Sequence, residues 1–293
     1  MTILQAIVLG IVQGLTEFIP VSSTAHLVFA ARAVGLYAGV EKSLQAQQTT
    51  ASMAVIQLGT LLAVLVYFAR DIVNITKAFI VDHLALMRGQ SRRDGTKISH
   101  DAWLGWLVII GSIPVGVVGL LFKKQIEGTF TKNLWVIATM MIVVGILLAI
   151  AEKVGKQTRG MEKLGIVDAL AVGGAQVLAL IPGSSRSGST IMGGLFAGET
   201  REAAARFSFL LSIPAIAASG LLELKEAIEK VPSDSYLALA VATIVSCVVG
   251  YLSIWFLLRF LRTHSTAVFI AYRVIVASLI LIALATGYLS ASI

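Results

Sequence analysis

The sequence is poor in charged residues. Only 13% of its 293 residues are Asp, Glu, Lys or Arg, which is about half the share found in an average soluble domain. A soluble protein has to cover its core with polar side chains, and this chain has too few of them. The composition therefore excludes a soluble enzyme, a soluble nucleic-acid-binding protein and a disordered chain.

The sequence also has only one cysteine and no dense basic tract. The single cysteine, Cys247, cannot form an intrachain disulfide, and we expect it to pack in an apolar core. The net charge is +7 without a basic tract interleaved with aromatic residues, so we expect contact with membrane lipids and none with nucleic acid. No Lys or Arg precedes the first apolar stretch, as a signal peptide would require, and we expect this segment to remain in the mature protein.

Long apolar runs, by contrast, make up much of the chain, and 57% of its residues are hydrophobic. A helix that crosses a hydrocarbon layer of about 30 Å needs about 20 mainly apolar residues. The runs that are long enough lie at about 53–69, 103–122, 134–151, 207–222, 236–258 and 274–293. They predict an all-α polytopic membrane protein with about six transmembrane helices.

Two further apolar regions, 1–31 and 164–198, are interrupted by proline and small hydroxyl residues. The interruptions read IPVSSTAH at 19–26 and IPGSSRSGST at 181–190. Exposed backbone cannot be placed in lipid, so such breaks are tolerated only inside protein or beside a water-filled cavity. We therefore expect each region to form a re-entrant hairpin of two short helices.

Lysine and arginine are distributed unevenly between the predicted loops. With six spans and two re-entrant hairpins, one side of the membrane carries 14 Lys and Arg residues in its loops and the other side carries 7. The loops on the richer side are 70–101, 152–166, 199–206 and 259–266. Because the richer side is normally cytoplasmic, we expect both termini to face outward.

The two interrupted regions also resemble each other. The segment 10–24 (GIVQGLTEFIPVSST) aligns with 173–187 (GGAQVLALIPGSSRS) after one deletion. This alignment pairs Gln13 with Gln176, Pro20 with Pro182 and Ser22–Ser23 with Ser184–Ser185. Because the two hairpins enter from opposite sides, the pairing predicts an inverted-topology repeat with the binding site where the broken helices meet. The alternative is chance similarity between apolar segments rich in small residues.

This interpretation makes the chain a single integral membrane domain over 1–293. Repeat one then spans about 1–160 and repeat two about 161–293. The two repeats would share one site and would not fold as separate domains.

The first interruption contains candidate catalytic residues, since charges inside a membrane are costly. Gln13 and Glu17 are four residues apart and share a helix face. His26 follows Ser23 by three residues and Ser22 by four, so either hydroxyl could approach the imidazole as an activated nucleophile. On spacing alone the more common arrangement is a helix cap made by the serines and a packed histidine.

The second interruption has the composition of an anion site. PGSSRSGST at 182–190 combines five hydroxyls, two glycines and one arginine at the expected start of a short helix. Backbone N–H groups and the positive helix end attract an anion, and Arg186 could bind phosphate through two N–H groups or pair with Glu17. The candidate substrate-binding residues are Ser184, Ser185, Ser187 and Thr190.

Four other polar residues have less specific roles. Arg273, in AYR at 271–273, is expected either to extend to the membrane interface or to act as a second phosphate clamp. His83, His100 and His264 lie in predicted polar loops, and we expect them to be surface residues.

These residues carry a resemblance to a known family. QGLTEFIPVSSTAH at 13–26 resembles the (E/Q)xxxE-plus-PxSST motif of the bacterial undecaprenyl-diphosphatase family, and PGSSRSGST matches its PGxSRSxxT signature. The resemblance extends over the whole chain, including FSFLLSIP at 207–214. Gln13 stands where the family often has glutamate, which weakens metal binding through charge, and Ala25 stands where glycine often precedes the histidine.

The resemblance implies an enzyme that removes the terminal phosphate from the lipid undecaprenyl diphosphate. The product would be the monophosphate carrier lipid, which is reused for peptidoglycan and other envelope polymers, and the activity would confer resistance to bacitracin. The resemblance also implies location in the bacterial plasma (inner) membrane, re-entrant helices in an inverted repeat, an active site open to the periplasmic side and dependence on a divalent cation.

The family's motifs suggest a role for each candidate residue. We expect Ser23 to be the nucleophile and His26 to be its base or the donor to the leaving oxygen. We expect Arg186 to hold the phosphate, and Glu17, with Gln13, to bind Mg²⁺ or Ca²⁺ through oxygen. Attack by His26 itself or by a metal-bound water is an alternative.

A transporter or flippase of a polyprenyl phosphate is the alternative function. Inverted repeats, broken helices and charges inside the membrane are typical of transporters. The sequence leaves a homodimer open.

Overall fold

The computed structural model describes residues 1–89, 98–126 and 133–291, and its regular elements over these ranges are helices. The α-helices are α1 (Ile3–Phe18), α2 (Ser23–Ala33), α3 (Lys42–Tyr67), α4 (Ala69–Met87), α5 (His100–Leu121), α6 (Lys123–Ile126), α7 (Leu134–Val154), α8 (Ile166–Gln176), α9 (Arg186–Phe196), α10 (Arg201–Lys230), α11 (Tyr236–Leu261) and α12 (Ala267–Ala285). Short 3₁₀ turns occur at Met161–Lys163, Val177–Leu180 and Ser233–Ser235.

Within the described ranges, 6 helices are long and apolar enough to cross a membrane. They are Ser43–Tyr67, His100–Leu121, Leu134–Val154, Arg201–Leu221, Ser233–Leu261 and Ala267–Ala285. Each overlaps one of the six predicted runs, so the prediction of a polytopic all-α membrane protein is confirmed. The helix bounds differ from the runs because a search for uncharged residues stops at Arg206 and Arg273, which the helices include.

The expected polar loop at 70–101 is largely helical. Its residues from 70 to 87 belong to α4, and Ile75 and Phe79 pack against α5 at Gly105. The helix is amphipathic, so a search for uninterrupted apolar runs does not detect it. Residues 90–97 of that loop lie outside the described residues.

The three histidines outside the motifs are placed differently from one another. His83 is partly buried on α4, where its Nε2 accepts a hydrogen bond from Trp106 Nε1 at 2.9 Å, so the expectation of a surface loop residue was wrong. His100 and His264 are exposed, as expected.

Both interrupted regions form two short helices separated by a break. The helices α1 and α2 contain 16 and 11 residues, which at about 1.5 Å per residue is too short to cross about 30 Å. The residue before the second helix is a serine with positive φ in each region, 78° at Ser22 and 68° at Ser185. By conformation Ser22 therefore corresponds to Ser185, whereas the sequence alignment paired it with Ser184, because the second break is one residue longer.

Small residues bring the short helices close to their neighbours. A Cβ atom at Gly14 of α1 would lie 2.8 Å from the backbone nitrogen of Gly250 in α11. A Cβ atom at Gly173 of α8 would collide with the carbonyl of Gly111 in α5. Close backbone approach is a common basis of helix association in membranes, where helices and lipid tails are equally apolar.

A cluster of buried charges lies between the start of α8 and the start of α10. Asp168 accepts a hydrogen bond at 2.7 Å from each terminal nitrogen of Arg159. Glu199 is fully buried, and neither of its carboxylate oxygens has a hydrogen-bond partner within the described ranges. Burial, followed by the negative charge of Asp168, raises the pKa of Glu199 to about 8, and Arg159 only partly offsets this. Glu199 is therefore protonated near neutral pH.

Replacing Glu199 with glutamine should stabilise the protein and change how its stability depends on pH. The folded protein keeps a proton that the unfolded chain releases, so the free energy of unfolding falls as pH rises from the usual glutamate value of 4.5 to about 8. In Glu199→Gln this part of the pH dependence should vanish, and the melting temperature at pH 7 should rise by about 2 °C or more.

The measurement is thermal unfolding in detergent between pH 5 and 9. Glu202→Gln is the matched control, because this carboxylate is partly exposed and pairs with Arg262 at 2.8 Å. A pH dependence in Glu199→Gln equal to that of the wild type would mean that Glu199 is ionised in the folded protein.

Candidate active site

Glu17, near the end of α1, is the centre of a hydrogen-bonded group at the first break. Ser23 Oγ donates to Glu17 Oε2 at 2.8 Å, and Gln13 Nε2 donates to the same oxygen at 3.0 Å. Gln57 Nε2 of α3 donates to Oε1 at 3.3 Å. The guanidinium of Arg186, at the start of α9, lies 3.7 Å from Oε1. The structure thus brings charged residues of both interruptions together, and the expected pairing of Arg186 with Glu17 is confirmed.

His26 is bonded to groups other than the two serine hydroxyls. Its Nδ1 lies 2.7 Å from the carbonyl oxygen of Ser22, and its Nε2 lies 2.7 Å from the hydroxyl of Tyr272. The expected hydroxyl–imidazole contact was therefore wrong for this state. The reason is the rotation of α2: the His26 ring turns back to the carbonyl four residues earlier, while Ser23 Oγ turns toward α1.

The serines that precede the two short helices differ in their contacts. Ser185 Oγ caps α9 by accepting a hydrogen bond from the Gly188 backbone nitrogen at 3.1 Å. Ser22 occupies the same position before α2, but its buried hydroxyl has no hydrogen-bond partner among the described residues. The helix cap expected at the first interruption is therefore not made by the Ser22 side chain, and the cap at Ser185 was not predicted.

The other hydroxyls of the second interruption line the start of α9. Ser187 Oγ lies 3.1 Å from Ser185 Oγ and donates to the Ile19 carbonyl at 3.4 Å. Thr190 Oγ1 donates to the Arg186 carbonyl at 2.7 Å. A hydroxyl of the second motif thus contacts the backbone of the first, which agrees with a shared site.

Several buried polar atoms around the two breaks have no hydrogen-bond partner among the described residues. They are Gln13 Oε1, Ser22 Oγ, Ser184 Oγ, Ser189 Oγ and one terminal nitrogen of Arg186. Buried polar groups are normally hydrogen-bonded, so a set of them concentrated in one place is unusual. Hydroxyl and guanidinium donors of this kind suit a phosphate, which offers only acceptors.

Arg273 is fully buried and binds backbone carbonyls of three segments. Its Nε donates to Met141 of α7 at 3.1 Å, and one terminal nitrogen donates to Pro20 at 3.2 Å. The other terminal nitrogen donates to Gly183 at 3.1 Å and to Ser184 at 2.9 Å. The alternative in which Arg273 extends to the membrane interface is therefore wrong. Its use as a phosphate clamp stays a prediction, although most of its N–H groups are already engaged.

Sequence reasoning missed three residues that contact the candidate site. Gln57 lies in a predicted span, Tyr272 precedes Arg273, and Ser208 lies within FSFLLSIP, where its hydroxyl is 2.5 Å from Thr190 Oγ1. Polar residues within apolar runs were the available signal, because such residues usually face the interior of a helix bundle. The sequence does not show which site each of them faces.

Fold and site together define a multi-pass helical membrane protein with a charged site where two broken helices meet. The chain belongs to the bacitracin resistance protein BacA family, whose model matches residues 6–279.

Proteins named undecaprenyl-diphosphatase are similar to the chain over nearly their full length. One from Syntrophobacter fumaroxidans is 52% identical and covers 96% of this chain and 97% of its own. One from Mycolicibacterium gilvum is 49% identical, with 99% of this chain and all of its own covered. One from Chlorobaculum tepidum is 44% identical, with 99% of each chain covered. The resemblance seen in the two motifs thus extends to whole proteins.

Replacing Arg273 with lysine should destabilise the fold although the charge is kept. An ammonium group cannot reach all the carbonyls that the guanidinium binds, and each lost hydrogen bond to a charged group costs about 1.5–3 kcal/mol. We expect the melting temperature in detergent to fall by at least about 4 °C. Arg259→Lys, at an exposed residue of α11, is the control and should melt like the wild type. An unchanged melting temperature in Arg273→Lys would show that these contacts do not stabilise the breaks.

Proposed function

We propose that this protein hydrolyses undecaprenyl diphosphate to undecaprenyl phosphate and inorganic phosphate. The reaction recycles the carrier lipid for cell-wall polymer synthesis and confers resistance to bacitracin, which agrees with the family's description. The main structural support is that Ser23 and Arg186 both contact Glu17, so the residues that we propose as nucleophile, phosphate ligand and base lie together at the two breaks.

In this mechanism Ser23 attacks the terminal phosphorus while Glu17 accepts its proton. The support is the 2.8 Å hydrogen bond from Ser23 Oγ to Glu17 Oε2, which replaces the earlier expectation that His26 takes this proton. A bond forms between Oγ and phosphorus, and the bond between phosphorus and the bridging oxygen breaks, releasing the lipid monophosphate. Water then hydrolyses the phosphoserine and releases inorganic phosphate, and the proton returns to Ser23.

The second interruption binds the phosphate that is transferred. Arg186 lies 3.7 Å from Glu17, and in this proposal it exchanges that ion pair for an oxygen of the phosphate. The backbone N–H groups at the start of α9 and the hydroxyls of the motif add donors. These hydroxyls belong to Ser184, Ser185, Ser187 and Thr190. Neutralising charge on the phosphoryl group is the main requirement of phosphoryl transfer.

We include a divalent cation, Mg²⁺ or Ca²⁺, in this proposal. The described residues contain no group of three or more His, Cys, Asp or Glu that could hold a metal by themselves. Glu17 and the unpartnered oxygen Gln13 Oε1 nevertheless offer two neighbouring oxygens, and Mg²⁺ is often held by one or two protein oxygens together with substrate phosphates. A cation held there would neutralise negative charge on the diphosphate.

We further propose that α1–α2 and α8–α9 are re-entrant hairpins of an inverted-topology repeat. Two pairs of helices too short to cross the membrane, each joined through proline and a serine with positive φ, support this arrangement. The repeats, about 1–160 and 161–293, then form one membrane domain. With the lysine- and arginine-rich loops in the cytoplasm, the site opens toward the periplasm from the plasma membrane.

The test of function is phosphate release from undecaprenyl diphosphate by the purified protein in detergent. We expect steady release that EDTA abolishes and added Mg²⁺ or Ca²⁺ restores. Ser23→Ala should lose nearly all activity because, in the part of the chain that the structure describes, no other hydroxyl is bonded to Glu17. Ser22→Ala should keep activity within about 10-fold of the wild type. No release by the wild type would contradict the proposal. It would favour transport of a polyprenyl phosphate, because a transporter releases no phosphate and has no two compartments to act between in detergent.

The test of orientation is cysteine labelling in intact cells after Cys247→Ser. His264→Cys and Asp234→Cys place exposed thiols on the two predicted sides. An impermeant maleimide added outside should label the Asp234→Cys variant. It should leave the His264→Cys variant unlabelled until the cells are opened. The reverse pattern would place the site on the cytoplasmic side.

A further inference from the structure

Tyr272 of α12 contacts the His26 ring in two ways. Its hydroxyl lies 2.7 Å from His26 Nε2, and the two rings are stacked at an interplanar angle of 14° with centroids 5.6 Å apart. Tyr272 comes from a helix that is 246 residues away along the sequence. Tyr272 reaches His26 of α2 because α12 lies beside the first break.

The two hydrogen bonds of His26 determine which ring nitrogen carries the proton. The Ser22 carbonyl, 2.7 Å from Nδ1, can only accept, so Nδ1 must be the N–H donor. In the neutral imidazole Nε2 then has a lone pair, and it accepts the hydrogen bond of the Tyr272 hydroxyl. The Ser22 carbonyl thus selects the tautomer, and Tyr272, by donating to Nε2 and stacking on the ring, fixes the plane of the imidazole.

We propose that Tyr272 is a positioning residue for the phosphatase reaction, acting by fixing the plane of the His26 imidazole and the direction of its basic nitrogen Nε2. This inference rests on the proposed function. Since Ser23 donates to Glu17, His26 is not needed to activate the nucleophile, and its basic Nε2 is left to take up a proton in the later step, in which water hydrolyses the phosphoserine. Among the described residues, the hydrogen bond and the ring contact of Tyr272 are both made with His26.

The chain provides a matched control tyrosine. Tyr251 of α11 is 40% exposed and Tyr272 is 43% exposed, and both lie on membrane-spanning helices. Tyr251 packs its ring against Tyr67 at 5.2 Å, as Tyr272 packs against His26, but its hydroxyl has no hydrogen bond among the described residues. Tyr251→Phe therefore removes the same atom from a comparable position without touching the site.

The experiment is a double-mutant cycle on phosphate release in detergent, with kcat and KM measured for the wild type, Tyr272→Phe, His26→Ala and the double variant. We expect Tyr272→Phe to lower kcat about 10-fold with KM little changed, since it disturbs a proton-transfer group and not substrate binding. In the His26→Ala background the same change should have no further effect. Tyr251→Phe should behave like the wild type. Equal losses in both backgrounds would show that Tyr272 is only structural and would overturn the proposal.

A spectroscopic measurement tests the same inference without activity. In protein labelled with ¹⁵N-histidine, the His26 signals are assigned by their loss in His26→Ala, and the two neutral tautomers have distinct ¹⁵N shifts. We expect the Nδ1–H tautomer in both proteins, because the Ser22 carbonyl is unchanged, and a shift of the Nε2 signal in Tyr272→Phe, where no hydroxyl donates to this nitrogen. An Nε2 signal that is unchanged in Tyr272→Phe would overturn the proposal. Absence of phosphate release by the wild type would instead contradict the proposed function and leave this measurement valid.

Discussion

One buried guanidinium satisfies the backbone of both helix breaks. A break inside a membrane leaves carbonyl groups without helical partners, and lipid offers no donors to replace them. Arg273 donates to Pro20 in the first break and to Gly183 and Ser184 in the second, so the two breaks are bound to the same side chain. The site needs both breaks in fixed positions, and this contact is what relates one to the other.

Opposite charges at the site also connect the two breaks. Glu17 on one and Arg186 on the other lie 3.7 Å apart, a distance that allows attraction without a direct hydrogen bond. An isolated carboxylate or guanidinium would be costly at this depth, but the pair lowers the cost for both. Among the described residues, one terminal nitrogen of Arg186 and nearby hydroxyls make no hydrogen bond, which is the condition expected of a site that exchanges an internal contact for a phosphate.

Sequence reasoning identified the polar residues at the breaks more successfully than it identified their partners. Glu17, Ser23, His26 and Arg186 all lie at the breaks, because charged, basic and hydroxyl groups in apolar segments stand out without any structure. The partner of Ser23 was wrong, since spacing of three or four residues favoured His26 and the rotation of α2 directs the hydroxyl to Glu17. The amphipathic α4 was missed because a search for uncharged runs cannot detect it.

The sequence by itself determined that this is a membrane protein with six apolar spans and two interrupted apolar regions. Windows of about 20 residues suffice for that conclusion, because partition into lipid depends on composition and not on contacts. Only the tertiary structure decided that Gln57 binds Glu17, that Tyr272 binds His26 and that Arg273 joins the breaks. These contacts link residues 40 to 253 positions apart. Each contact depends on the direction in which its helix presents the side chain. That direction changes by about 100° from one residue to the next.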